Sequence, residues 1–362
     1  MRLHELRARE DIDGIVVRTL ERAWSLELGR SFRVEPGEAG EQRWRVQPLL
    51  SGYFVEGIAS APRRFLRDQF RHTPVWRRRL PQYLLGTALA SRVGLRLTGP
   101  VAFSVTPAIP GAEERLVVPG NRRLRMFDFA SGRSRVVLKD GFSRAAIERE
   151  VAVRGSGAVG PFIPITRSDV AEGWFEEPIF DGYALPRCPP WFSQRALGQR
   201  ALELLEAWSG EATREVDARR YAEGLAERLR GALLGDERAP KGRVKEKTLR
   251  RLDELVARAT GTALLTSRSH GDFQPGNVLV SRDGERVLLT DWEYSGERSV
   301  DYDRLVWGLG SRTGRDLGRE LRAIEKAGGS DAVALVAKPA ARATVVTLFE
   351  LEELGWKTTP SE

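Results

Sequence analysis

Cysteine is almost absent from these 362 residues. The lone Cys188 excludes an internal disulfide and fits a reducing compartment; beside Pro189-Pro190 it reads as loop filler. No apolar stretch reaches the roughly 20 residues that span a bilayer. The charged segment after Met1 has no signal-peptide apolar region, so a cytoplasmic location is expected. Lysine is scarce as well: Lys139 is the only lysine among residues 1 to 240, although Lys and Arg together number 58. Histidine occurs three times. What is abundant is arginine, in a chain long enough for two or three packed units.

The informative stretch is S-H-G-D-F-Q-P-G-N-V-L-V-S-R-D-G-E-R-V-L-L-T-D-W-E-Y, residues 269–294. Asp272 is followed five positions later by Asn277, then by two short β-prone runs around Asp283-Gly284, a hairpin signal. A hairpin returns the chain so that Asn277 at its entry lies beside Asp291 at its exit. Phosphoryl transfer from a metal-bound nucleotide uses these groups: a carboxylate to orient the attacking hydroxyl, and an amide with a second carboxylate to hold Mg²⁺. The Asp272-to-Asn277 spacing equals that of the kinase catalytic loop.

His270-Gly271-Asp272-Phe273-Gln274-Pro275-Gly276-Asn277 and Asp291-Trp292-Glu293-Tyr294 resemble the two signatures of the aminoglycoside phosphotransferase and choline kinase family. That resemblance is strongest over residues 114 to 310. It implies an α+β, bilobal, protein-kinase-like fold with a β-rich N-lobe and a helical C-lobe. It further implies Asp272 as catalytic base, Asn277 and Asp291 as Mg²⁺ ligands, His270 as an anchor of the loop, and Asp303 as an acid bracing that loop.

A kinase also needs a cation for the nucleotide phosphates and a glutamate to hold it. Lys139 ends the strand-like run from Arg135, and its retention in an arginine-rich chain points to a specific need, because ammonium and guanidinium differ in shape. Residues 143–154, S-R-A-A-I-E-R-E-V-A-V-R, have helical spacing with Ser143 as N-cap. Glu150 is the expected partner of Lys139, with Glu148 as the alternative. The strands before Lys139 carry no G-x-G-x-x-G. Gly120-Asn121 could bring backbone N–H groups to a phosphate, and an ordinary hairpin turn explains the pair equally well. The run from Trp174 to Phe180 resembles the family's hinge strand, which would place Glu177 and Ile179 at the adenine.

Apolar residues at helical spacing predict helices over Ile12–Leu28, Gln194–Trp208, Asp217–Leu234, Leu249–Ala259, Arg319–Lys326 and Ala340–Leu354. The layout expected is an N-terminal extension over residues 1–104, mixed helix and loop, an N-lobe with hinge over 105–182, and a C-lobe over 183–362. Within the extension, the segment Pro62 to Tyr83 interleaves the arginines of Arg63 to Arg79 with Phe65, Phe70, Trp76 and Tyr83. With a formal charge of +8, contact with nucleic acid or an anionic membrane is compatible with this segment, and a solvated amphipathic helix is the favoured reading.

The function expected is transfer of the ATP γ-phosphoryl group, with Mg²⁺, to a hydroxyl of a small molecule. An amino alcohol such as choline or ethanolamine is one acceptor class, and the Asp291-to-Gly296 run resembles that branch, where an acid–aromatic cluster would receive a cationic head group. A sugar or aminosugar is the other. The alternative from another class is a non-catalytic, nucleotide-binding scaffold docking to membrane or nucleic acid through the basic N-terminal segment, but no catalytic position is deleted.

Overall fold

The computed structural model describes residues 3–71, 73, 75–155, 157–235, 242–259, 261–309 and 342–358. The fold is α+β and divides into two compact units, Met1–Arg200 with Val278–Thr290, and Ala201–Asn277 with Asp291–Glu362.

The first unit is built on a nine-stranded sheet. Its strands are β1 (Arg33–Pro36), β2 (Gln42–Gln47), β3 (Gly52–Val55), β4 (Val101–Thr106), β5 (Arg115–Pro119), β6 (Arg123–Asp128), β7 (Arg133–Leu138), β8 (Arg167–Asp169) and β9 (Trp174–Pro178). They pair antiparallel in the order β1-β4-β2-β3-β5-β6-β7-β9-β8. Side chains alternate between the faces. Val117, Leu124, Met126 and Val137 turn to one face, where helix Ile12–Leu28 packs. Trp24 of that helix lies 5.1 Å from Trp44 of β2. Leu116, Phe127, Val136 and Leu138 turn to the other face. Helices Ser60–Arg71, Arg79–Leu89 and Arg92–Thr98 cover one part of it, and Ile147 of helix Ala145–Arg154 covers another.

Residues 1–104 are therefore not a separate extension of helix and loop. Three whole strands and most of a fourth from that region extend the sheet that continues after residue 105, and the expected boundary falls inside β4. The reason lies in strand length and composition. β1 and β3 have four residues each, and β2 reads Q-R-W-R-V-Q, with only two apolar side chains.

A second, three-stranded sheet of this unit joins β10 (Gly182–Ala184), β13 (Val278–Ser281) and β14 (Val287–Leu289). The expected boundary at residue 182 falls within β10. The hairpin forms as the Asp283-Gly284 signal predicts, with Val278 opposite Leu289 and Gly284 at φ +80.

The second unit holds the sheet β11 (Arg214–Asp217), β12 (Ala263–Ser269) and β15 (Gly296–Ser299), in that order. Helices Ala218–Gly235, Arg243–Arg258 and Arg342–Thr358 meet over Ala222, Ala226, Leu252, Leu255, Leu348 and Leu351. Helix Tyr302–Leu309 packs on the last of them through Leu305 and Val306. The expected helix Arg319–Lys326 lies outside the described residues.

Candidate active site

The catalytic-loop residues all belong to the second unit. β12 delivers the chain to His270, where the backbone stops pairing and turns. Two consecutive amides at that turn, His270 N–H and Gly271 N–H, donate to the Asp303 carboxylate at 2.7 and 3.0 Å. Asp303 sits in the first turn of helix Tyr302–Leu309, so one acidic side chain satisfies two amides that neither strand nor helix serves. Gly271 takes φ +81, and a Cβ there would lie 2.0 Å from the Tyr294 carbonyl oxygen. His270 is fully buried. Its ring is 4.5 Å from Trp292, and its Nδ1 accepts from the Asp272 N–H at 3.3 Å. Phe273, also fully buried, stacks on Trp307 at 4.8 Å.

These contacts fix the Asp272 carboxylate. Asn277 Nδ2 donates to the Asp272 carbonyl at 2.8 Å and to its Oδ2 at 3.1 Å, and Gln274 Nε2 donates to Oδ1. With its Nδ2 so used, Asn277 has Oδ1, an oxygen suited to a hard cation, as the atom for a further partner. The pairing of Val278 with Leu289 places the residues just outside the hairpin, Asn277 and Asp291, at the same end of it. Asp291 adopts φ 72 and ψ 53, left-handed, and its side chain does not cap the turn Trp292–Tyr294 that it starts. A non-glycine residue held in this region costs energy, and such residues concentrate at functional sites. No three His, Cys, Asp or Glu side chains converge into a metal cluster among the described residues. Mg²⁺ needs only one or two protein oxygens besides phosphate and water, so the amide and carboxylate of Asn277 and Asp291 fit that ion.

The acid–aromatic cluster is arranged otherwise than expected. Trp292 is fully buried between His270 and Trp208, the latter at 4.9 Å, and Glu293 is buried as well. Trp292 supports the loop from beneath and offers no ring face to a cationic head group.

In the first unit, Lys139 and Glu150 do not pair. Lys139 follows Val137 by two residues and so shares the face of helix Ile12–Leu28, whereas Glu150 lies on the opposite face. Lys139 Nζ, wholly buried, donates to Glu10 Oε1 at 2.5 Å and to the Asn121 carbonyl at 2.8 Å. Burial pulls its pKa down, against the stabilising contact with Glu10. Glu150 instead receives Arg123 of β6 and Arg154 of its own helix. Arg154 also reaches Glu177, which lies 3.1 Å from Arg125. Burial alone would raise the Glu150 pKa, but Arg123 and Arg154 outweigh it and hold the carboxyl down at about 2. Glu148 is exposed.

The other nucleotide-site expectations in this unit have local partners. Gly120 N–H donates to the Arg123 carbonyl at 2.8 Å and closes the β5–β6 turn, the simpler of its two readings. Ile179 N–H donates to the Gly132 carbonyl at 2.9 Å, so it is not a donor left over for adenine.

Residues 193–342 match the profile of the Phosphotransferase enzyme family, APH. Solved structures give looser likenesses. The choline kinase LicA from Streptococcus pneumoniae is 14% identical, with a TM-score of 0.40, covering 69% of this chain and 84% of that one. A choline/ethanolamine kinase family protein from Mesorhizobium loti is 18% identical, with a TM-score of 0.41, over 69% and 81%. The aminoglycoside phosphotransferase APH(3'')-Id from Streptomyces rimosus, solved with ADP and streptomycin, is 15% identical, with a TM-score of 0.38, over 63% and 90%. No curated protein sequence gives a significant match.

The matched segment contains every residue singled out for the catalytic loop: His270, Asp272, Asn277, Asp291 and Asp303. Three further residues bear on the two units and were not read from the sequence. Gln274 positions Asp272; it lies inside the quoted motif, but only its amide contact reveals the task. Arg123 was legible in principle, since alternation along R-L-R-M-F-D puts it on the face opposite Leu124 and Met126. Glu10, 129 positions before Lys139, had no sequence signal.

Proposed function

We propose that this protein is an ATP- and Mg²⁺-dependent small-molecule kinase, transferring the γ-phosphoryl group to a hydroxyl of an amino alcohol or of a sugar or aminosugar. The observation that carries this reading is the Asp272 carboxylate, buried and aimed by Gln274 and Asn277 in a loop that Asp303 braces. A carboxylate so fixed can align an acceptor hydroxyl and take its proton as the oxygen attacks phosphorus. Most of the rate in such a reaction comes from positioning and charge stabilisation. Asn277 Oδ1 and Asp291 would hold Mg²⁺, which supplies charge neutralisation at the transferring phosphoryl group. His270 is structural in this scheme, since its Nδ1 accepts from backbone and its ring is buried.

The burial of Trp292 and Glu293 leaves Asp291 and Tyr294, both half-buried, as the members of the acid–aromatic run within reach of a head group, and both acceptor classes remain in the proposal. A survey of ATP consumption against amino alcohols, aminosugars, sugars and nucleosides identifies the acceptor. The metal assignment is tested separately. Asp291→Ala should abolish Mg²⁺-dependent ATP binding, and calcium should substitute poorly because it prefers longer, looser coordination. Equal ATP affinity of the unmodified protein with and without Mg²⁺ would overturn the assignment.

A further inference from the structure

The positive charge of this chain is confined to one place. Residues 57–112 contain nine arginines, no lysine and a single acid, Asp68, a balance equal to the +8 of the whole chain. The remainder is neutral. This segment carries the helices Ser60–Arg71, Arg79–Leu89 and Arg92–Thr98, inserted between β3 and β4. Asp68 is buried, and its carboxylate is shared between Arg67 at 3.0 Å and Arg282, from outside the segment, at 2.9 Å.

The aromatic residues that made the segment resemble a nucleic-acid grip point elsewhere. Phe65 packs inward, 4.6 Å from Phe127, and Phe70 is partly buried in the same cluster. Most of the described apolar side chains left outside are aliphatic, with Tyr83 38% exposed among them. Leu80 and Leu84, one helical turn apart, are 67% and 58% exposed; Val93 and Leu97, likewise one turn apart, are 67% and 79% exposed. Large apolar side chains standing out of a cationic surface are a feature of interaction sites.

Two pockets adjoin this surface and share Arg67. One, about 420 Å³, is walled by Arg63, Arg64 and Arg67 with Ser60, Thr87 and Ser91, and has no carboxylate. The other, about 540 Å³, has mainly apolar walls, including Leu80, Tyr83 and the exposed Trp191. A cationic, hydroxyl-lined chamber beside an apolar one matches a molecule with a phosphate next to hydrocarbon.

We propose that the helical insert between β3 and β4 docks on an anionic phospholipid surface. Leu84, Leu97 and their neighbours enter the headgroup–acyl boundary, and lipid phosphate meets the Arg63–Arg64–Arg67 chamber. Arginines attract anionic lipid and aliphatic side chains supply the insertion, the combination by which interfacial helices bind. No helix among the described residues is long and apolar enough to cross a membrane, so attachment would be peripheral. The described exposed apolar side chains of the insert are mostly aliphatic, so non-specific nucleic-acid binding, which relies on aromatic platforms for the bases, fits less well.

Co-sedimentation of the full chain with phosphatidylcholine vesicles, with and without phosphatidylserine, tests this. Binding is expected only with phosphatidylserine, weakening as salt is added. Arg63→Ala with Arg64→Ala should weaken it about fivefold for each arginine removed. Leu84→Ser with Leu97→Ser should weaken it about tenfold or more while leaving the melting temperature unchanged, since both side chains are exposed. Absence of binding to phosphatidylserine vesicles overturns the proposal. So does an unaffected leucine double variant, and if that variant also binds single-stranded RNA like the unmodified protein, the surface is a nucleic-acid site.

Discussion

At Gly271 a single hydrogen atom decides whether the candidate catalytic loop closes. Any side chain there meets both a left-handed φ and the Tyr294 carbonyl at 2.0 Å. Gly271→Ala should therefore displace the loop and cut turnover by at least the factor on the order of 10² that a 1 Å misplacement costs. Circular dichroism should show the bulk of the fold retained. Normal turnover in this variant would mean that the loop geometry is not what aligns Asp272. The two charged residues of the first unit separate just as clearly. Removing Arg123 leaves the buried Glu150 with Arg154 as its remaining ion-pair partner, a loss of up to about 3–5 kcal/mol. Lys139→Met keeps the volume and leaves Glu10 partly solvated, a loss of about 1–3 kcal/mol. Melting curves should rank them so, and Lys139→Met should leave ATP affinity intact. Loss of ATP affinity in Lys139→Met would return the lysine to the nucleotide site.

At the scale of elements, a buried carboxylate ties strand to helix. Glu352, on helix Arg342–Thr358, accepts from Ser299 N–H at 2.8 Å, Ser299 Oγ at 2.9 Å and Tyr221 O–H at 2.7 Å. Burial pushes its pKa up to about 7, more than these hydrogen bonds pull it down. The folded state thus holds its proton more tightly than the unfolded chain does. Its contribution to stability is complete below the unfolded pKa, near 4.5, and is lost as pH rises through about 7. Glu352→Gln can keep all three contacts by donating to Ser299 Oγ, and it removes the buried charge. It should be more stable than the unmodified protein at pH 8, by on the order of 3 kcal/mol, and equal to it at pH 4. Denaturant melts at the two pH values check this, and equal stability at pH 8 contradicts it.

Legibility also followed the elements. The hairpin β13–β14 was readable because V-L-V and V-L-L flank a turn that accepts only certain residues. Helix Ile12–Leu28 was readable from its period. Strands β1 to β3 were not, because four-residue strands and Q-R-W-R-V-Q give too few apolar positions for a period to show. The Asp272–Asn277 loop was legible because its spacing is set by local chemistry. The Lys139–Glu150 pairing was misread because helix spacing alone does not say which sheet face the helix covers. One residue of strand parity, set by Val137 on one face and Leu138 on the other, sends the lysine away from Glu150 and brings Arg123 to it.

For the whole molecule, charge and chemistry are kept apart in sequence. The helical insert of the first unit holds the net positive charge, while the loop assigned to phosphoryl transfer lies in the second unit, within the segment that matches the phosphotransferase profile. The central claim is that Asp272 serves the acceptor hydroxyl. The direct measurement is phosphoryl transfer by Asp272→Asn to the acceptor found in the survey, alongside its ATP affinity. Turnover should fall by a factor on the order of 10² to 10⁴, the usual share of a general base, with ATP affinity nearly unchanged. Near-normal turnover in Asp272→Asn would contradict the account.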